Sequence, residues 1–126
     1  MKRIYLACPY SVNIDNPKSI IGRTMLHYRV KMADKAAAML MKEGHIVFSP
    51  VSHSHRIAKH VGNHFNHSFW LEQDFSYLEW ADEMYILMLR GWDESYGIGE
   101  ERKYMIELSK PTILIHPSSL NIGGIL

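Results

Sequence analysis

Two carboxylates stand where helical spacing predicts apolar contacts. Ile98, Glu101, Met105 and Leu108 recur at three- and four-residue steps, so they share one face of a helix. Glu100 falls with Tyr104 and Glu107 on the other side, facing solvent. Upstream, Asp74 lies among Leu71, Phe75 and Leu78 in the same way. Burying a carboxylate is unfavourable by roughly several kcal/mol unless it is partnered. Two carboxyl groups beside a sugar are what glycosidic-bond cleavage needs, one as nucleophile and one as acid/base. A structural reading stands beside this for Glu101. An acid in the first turn of a helix is favoured by the macrodipole, by about 0.3–1 kcal/mol, and Arg29 or Arg102 is available as an ion-pair partner.

Ser95, Gly97 and Gly99 precede or open the same helix. Small residues there let backbone N–H groups face an anion at the positive helix end. The segment lacks a P-loop lysine, and Gly97-x-Gly99 is followed by Arg102, so it is not a dinucleotide fingerprint. Asp93, Glu94 and Glu100 read as solvated acids. Arg29 is the one charge on the apolar stripe formed by Met25, Met32, Ala36 and Leu40. It suits either a buried structural ion pair or a role in neutralising a carboxylate or binding phosphate.

Five of the eight histidines lie between residues 53 and 67. His60 and His64 are four apart, but no His-Glu-x-x-His occurs and Cys8 is far away, so no metal site is expected. His53 and His55 follow a strand end and are expected to line a pocket, against base or phosphate. His60, His64 and His67 are expected at the surface or an interface. Among the tryptophans, Trp92 follows a strand end and is the candidate for stacking a base. Trp70 and Trp80 are expected in the core or an interface.

These residues need a scaffold. Residues 3–8, 45–50, 83–89 and 111–116 are short apolar runs that predict strands, three of them bounded by proline. Residues 20–43, 67–80 and 98–109 carry helical spacing, and Gly44 is a natural stop for the first helix. Residues 9–19 are a loop. Residues 51–66 are expected to be a loop with one helical turn. The order β-α-β-loop-α-β-α-β predicts one small doubly wound α/β domain over 1–126. It would be flavodoxin- or Rossmann-like, with a parallel sheet of four to five strands and helices on both faces. Ligands bind such sheets at the carboxyl ends of the strands, where Tyr10, Ser11, Ser49, Trp92 and His116 gather. The apolar residues of the tail 117–126 are expected to dock on a partner subunit.

The composition bounds the partners. A chain that is 47% apolar and 21% charged is globular in character, and a formal charge of +1 does not point to nucleic-acid polymers or membranes. One cysteine allows no internal disulfide, which fits a reducing, cytoplasmic setting. No apolar run approaches the ~20 residues of a membrane span, and no signal peptide is expected.

"SYGIGEE" (95–101) resembles the S-x-G-x-G-x-E segment of the 2′-deoxynucleoside 5′-phosphate N-hydrolases, which share a superfamily with the nucleoside 2-deoxyribosyltransferases. "WLEQDFSYLEWADEMYI" and "RIYLACPYS" are similar to other segments of that superfamily. "YLACPYS", "VFSPVSHSH", "FWLEQD", "LMLRGWDES" and "KPTILI" together resemble the DUF1937 family over nearly the whole chain. The resemblance implies that Glu101 is a nucleophile, that Asp74 protonates a leaving base and that Asp82 stands near a sugar hydroxyl. It implies that Tyr10 positions nucleophile or substrate, and that Ser95, Gly97 and Gly99 receive a 5′-phosphate. It further implies a nucleotide or nucleoside substrate, no cofactor, and a homo-oligomer with sites near subunit interfaces. The chemistry implied is hydrolysis of an N-glycosidic bond, with base exchange or binding without turnover as alternatives. The sequence departs from the known enzymes at "RKYM" after Glu101, at "PYSVNIDNP" in the first loop and at "VFSPVSHSH".

Overall fold

A computed structural model describes residues 1–11, 16, 18–62 and 66–120. Four parallel strands form one sheet in the order β2-β1-β3-β4. They are β1 (Arg3–Ala7), β2 (Ile46–Phe48), β3 (Glu83–Leu87) and β4 (Thr112–Ile115). Helix α1 (Ile20–Lys42) joins β1 to β2. The short helices α2 (Pro50–Ser54) and α3 (Ala58–Val61), then α4 (His67–Trp80), lead to β3. Helix α5 (Tyr96–Glu107) joins β3 to β4. The expected doubly wound α/β fold is present, with helices on both faces.

The strand alternation divides the core in two. Ile4 and Leu6 of β1, and Cys8 just after it, pack on the α1 side with Met32, Ala33, Ala36 and Leu40. Tyr5 and Ala7 point to the other side, with Leu78 of α4 and Ile98 and Met105 of α5. Both central strands are covered on both faces, so their sequences show little apolar–polar alternation. Leu120, in the turn after β4, is buried in the α1-side core. It therefore packs on its own chain, while residues 121–126 of the tail lie outside the described residues.

Two boundaries differ from the sequence reading in ways that matter. Pro50 does not merely end β2. It is the first residue of α2, with Ser49 as N-cap accepting from the Ser52 amide. Residues 51–66 thus hold two short helices in place of a loop with one turn. Helix α5 starts at Tyr96, because the Ser95 hydroxyl caps it by accepting from the Ile98 amide at 3.3 Å. Glu101 is therefore in the second turn, where the helix end does less to hold a charge. Among the described residues no helix is long and apolar enough to cross a membrane.

Candidate active site

Chain connections run outward in opposite directions from the carboxyl ends of β1 and β3, the two central strands. A crevice opens at that switch point, as the topology requires. Here it is a cavity of about 500 Å³. Its walls come from the loop after β1, from α1 through Arg29, from α2, from the start of α4 and from the start of α5.

Glu101 forms one wall. It is only 5% exposed, held inward by the same turn-to-turn spacing that buries Ile98 and Met105. Its partner is the Tyr5 hydroxyl, which donates to Oε2. Tyr5 is 0% exposed. Asp74, from α4, is close enough to interact electrostatically with both. The expected cationic partners are engaged elsewhere. Arg102 places its guanidinium 5.7 Å from the centre of the Trp92 ring. Among the described residues no ion pair includes Glu101, Asp74 or Arg29.

An acidic pair without a cation has a definite electrostatic outcome. Burial pushes Glu101 well above the usual carboxylate range, and the neighbouring Asp74 charge pushes it further, while the Tyr5 hydroxyl draws it back. Burial raises Asp74 to about 6, opposed by hydrogen bonds from Glu101 and Tyr5 and by the nearby His53. The same burial, with both acids beside it, keeps the Tyr5 phenol protonated. Near neutral pH the two neighbouring carboxyls therefore do not both ionise readily, and Glu101, shifted further, holds a proton more tightly than Asp74. One acid and one base, side by side, are available to a bound molecule.

Arg29 bridges the crevice. One guanidinium nitrogen donates to the Ser11 carbonyl and another to the Arg90 carbonyl at 3.2 Å. Gly91 follows with φ 89°, a left-handed conformation natural to glycine, and a Cβ there would sit 3.8 Å from the Arg29 guanidinium. Also lining the cavity, the Tyr10 hydroxyl is 2.8 Å from Nδ1 of His55. Ser95 and Gly97 reach the cavity at the start of α5.

Other expected site residues are placed elsewhere. Asp82 precedes β3 at the amino end of the strands. It accepts from the Arg3 amide at 2.8 Å and from its guanidinium at 3.1 Å. A residue before a parallel strand emerges at the opposite edge from the ligand crevice, so the expectation for Asp82 is corrected. Trp92 packs on the α4/α5-side core and does not line the cavity. Trp70, expected in the core or at an interface, does line it. Gly99 lies inside α5, away from the cavity. His53 contacts the Phe48 and Tyr77 rings and lines a separate cavity of about 180 Å³. His67 lines the large cavity with its ring centre 5.0 Å from that of Tyr96. His60 is exposed on α3, and His64 lies outside the described residues. Among those described, no group of three or more His, Cys, Asp or Glu gathers as metal ligands.

Tyr5 was not legible as a site residue. The signal available was a phenol within an otherwise aliphatic buried strand, because a buried tyrosine hydroxyl needs a partner. Tyr10, assigned that positioning role from the first loop, is bonded to His55 instead.

Residues 2–116 match the family model described as a domain of unknown function, DUF1937. The chain belongs to this family. No curated protein matches it. Among solved structures it is similar to a 2-deoxyribosyltransferase from the psychrotolerant bacterium Bacillus psychrosaccharolyticus, with 25% identity and a TM-score of 0.61. The likeness covers 91% of this chain and 72% of the other. The DUF1937 chain therefore carries its buried acids on a deoxyribosyltransferase-like fold.

Proposed function

We propose that the protein cleaves the N-glycosidic bond of a nucleoside or a nucleoside 5′-monophosphate, deoxyribose forms included, through a covalent glycosyl–Glu101 ester. The observation that carries this reading is the Tyr5–Glu101–Asp74 group in the wall of the crevice, with Tyr5 and Glu101 buried and Asp74 half-buried. The cavity, about 500 Å³, falls within the usual range for small-molecule sites, roughly 300–1,000 Å³.

Glu101 reacts as the carboxylate once the proton that burial favours on it has passed to Asp74. Its oxygen forms a bond to C1′ while the C1′–N bond breaks and Asp74 gives its proton to the departing base. Asp74, now a base, takes a proton from water as that water attacks C1′ and releases Glu101. Tyr5 stabilises the Glu101 anion by donating to it. The start of α5, with Ser95 and Gly97, takes the 5′ end of the sugar.

A second reading replaces the water with another base, giving deoxyribosyl exchange. The likeness to the 2-deoxyribosyltransferase favours it. Incubating the protein with a panel of nucleosides and 5′-monophosphates, and detecting free base by chromatography, tests both. Base release by wild type and none by Glu101→Gln is expected. Full activity in that variant overturns the mechanism. Free sugar without an acceptor marks hydrolysis, whereas turnover only with an added base marks exchange.

A further inference from the structure

The contact between Tyr10 and His55 joins two segments distant in sequence. Tyr10 belongs to the loop after β1, and His55 is the residue that ends α2. Their rings meet edge to face, with centres 5.8 Å apart and planes at 69°, and the hydroxyl and Nδ1 are 2.8 Å apart. Both line the large cavity. Tyr10 also packs on the α1-side core, so its hydroxyl is presented from a fixed base.

We infer that the Tyr10–His55 pair is a specificity element that reads the hydrogen-bonding edge of the leaving base. This rests on the N-glycosidic reading above. The position follows from the two acids. The sugar carbon must reach Glu101 on α5, and the base must reach Asp74 on α4. Asp74 lines both the large cavity and the smaller one, whose walls include His53 of α2. A base against Asp74 therefore lies on the α2–α4 side of the crevice, where α2 delivers His55. Trp70 of α4 adds an apolar wall on that side.

The pair has polar capacity to spare. A neutral imidazole has one donor and one acceptor, and a phenol hydroxyl can both donate and accept. If Tyr10 donates to Nδ1, the N–H of His55 at Nε2 remains for a ligand. In the other tautomer the Tyr10 O–H remains. Either way one donor is left over. Burial lowers His55, helped by Lys59, His27 and Arg56, and burial raises Tyr10. Both are therefore uncharged at neutral pH, which suits them to a neutral heterocycle edge and not to a phosphate. A site that leaves a buried donor unpaired with the wrong ligand discriminates against it.

The test uses the full chain as wild type, Tyr10→Phe, His55→Ala and the double variant. The substrates are purine 2′-deoxyriboside, 2′-deoxyadenosine and 2′-deoxyinosine, which share a sugar and differ at the base edge. Wild type is expected to separate them by about tenfold in kcat/KM, the size of one net hydrogen bond. Each single variant should compress that range to about threefold, mainly through KM, and the double variant should add little, because the two residues act as one unit. An equal loss for all three substrates, an unchanged preference, or additive losses would overturn the inference. Calorimetric binding of free purine, adenine and hypoxanthine, with Glu101→Gln in each background, separates this from failure of the proposed reaction. A binding preference that disappears with Tyr10 or His55 upholds the pair's role even if no nucleoside is cleaved. Equal binding of the three bases by every form overturns it even if bases are released.

Discussion

The two faces of the sheet are built to different ends, and β1 displays both. Its Ile4 and Leu6 enter an aliphatic core under α1, whereas Tyr5, between them, donates to Glu101 with Asp74 nearby. The α1 side has no buried charge among its cluster residues. The α4/α5 side holds Glu101 at 5% exposure without a cation. One face supplies the stability that the other gives up in order to hold a reactive group.

Substitutions on the two faces should therefore move stability in opposite directions. Leu40→Ala, on the α1 side, removes a fully packed side chain and should cost about 2–5 kcal/mol in denaturant unfolding. A smaller loss would mean that this core tolerates a cavity. Glu101→Gln should do the reverse, gaining about 0.5–2 kcal/mol while base release disappears, the trade often seen at active sites. Destabilisation by that substitution would mean that the buried carboxylate is an asset to the fold.

The same contrast has a pH signature. Both acids titrate higher in the folded protein than in the unfolded chain, so the folded state binds the extra proton. Their contribution to stability is fully present below the ordinary carboxylate range and is lost as pH rises, for Asp74 between its ordinary 3.8 and about 6. Melting temperatures measured from pH 4 to 8 should fall through this window in wild type and fall less in Glu101→Gln. Parallel profiles would show that Glu101 holds no extra proton. The smallest effect is expected at Asp82→Asn, at the far edge of the strands, where base release should be unchanged.

The sequence disclosed the scaffold and the two acids for one reason: helical spacing fixes a face, and a carboxylate on an apolar face is conspicuous. Glu101 and Asp74 were visible in that way. Tyr5 was not, because a single phenol in an apolar strand has the spacing of a packing residue, and its partner is 96 positions away. Asp82 was expected near a sugar hydroxyl from the family resemblance alone, and the length of β3 separates it from the crevice. Trp70 and Trp92 exchanged roles for a related reason. A strand end predicts nearness to the crevice but not the side to which a ring turns, and Trp92 turned to the core.

Arg29 gives the crevice a gauge. Its guanidinium grips the rim after β1 at the Ser11 carbonyl and the rim after β3 at the Arg90 carbonyl. At that point the two rims are held as far apart as one planar, forked group reaches, and α1 carries the caliper. A lysine there would have a single nitrogen for two distant carbonyls. One jaw would be released, and the width of the opening would no longer be set by the helix behind it.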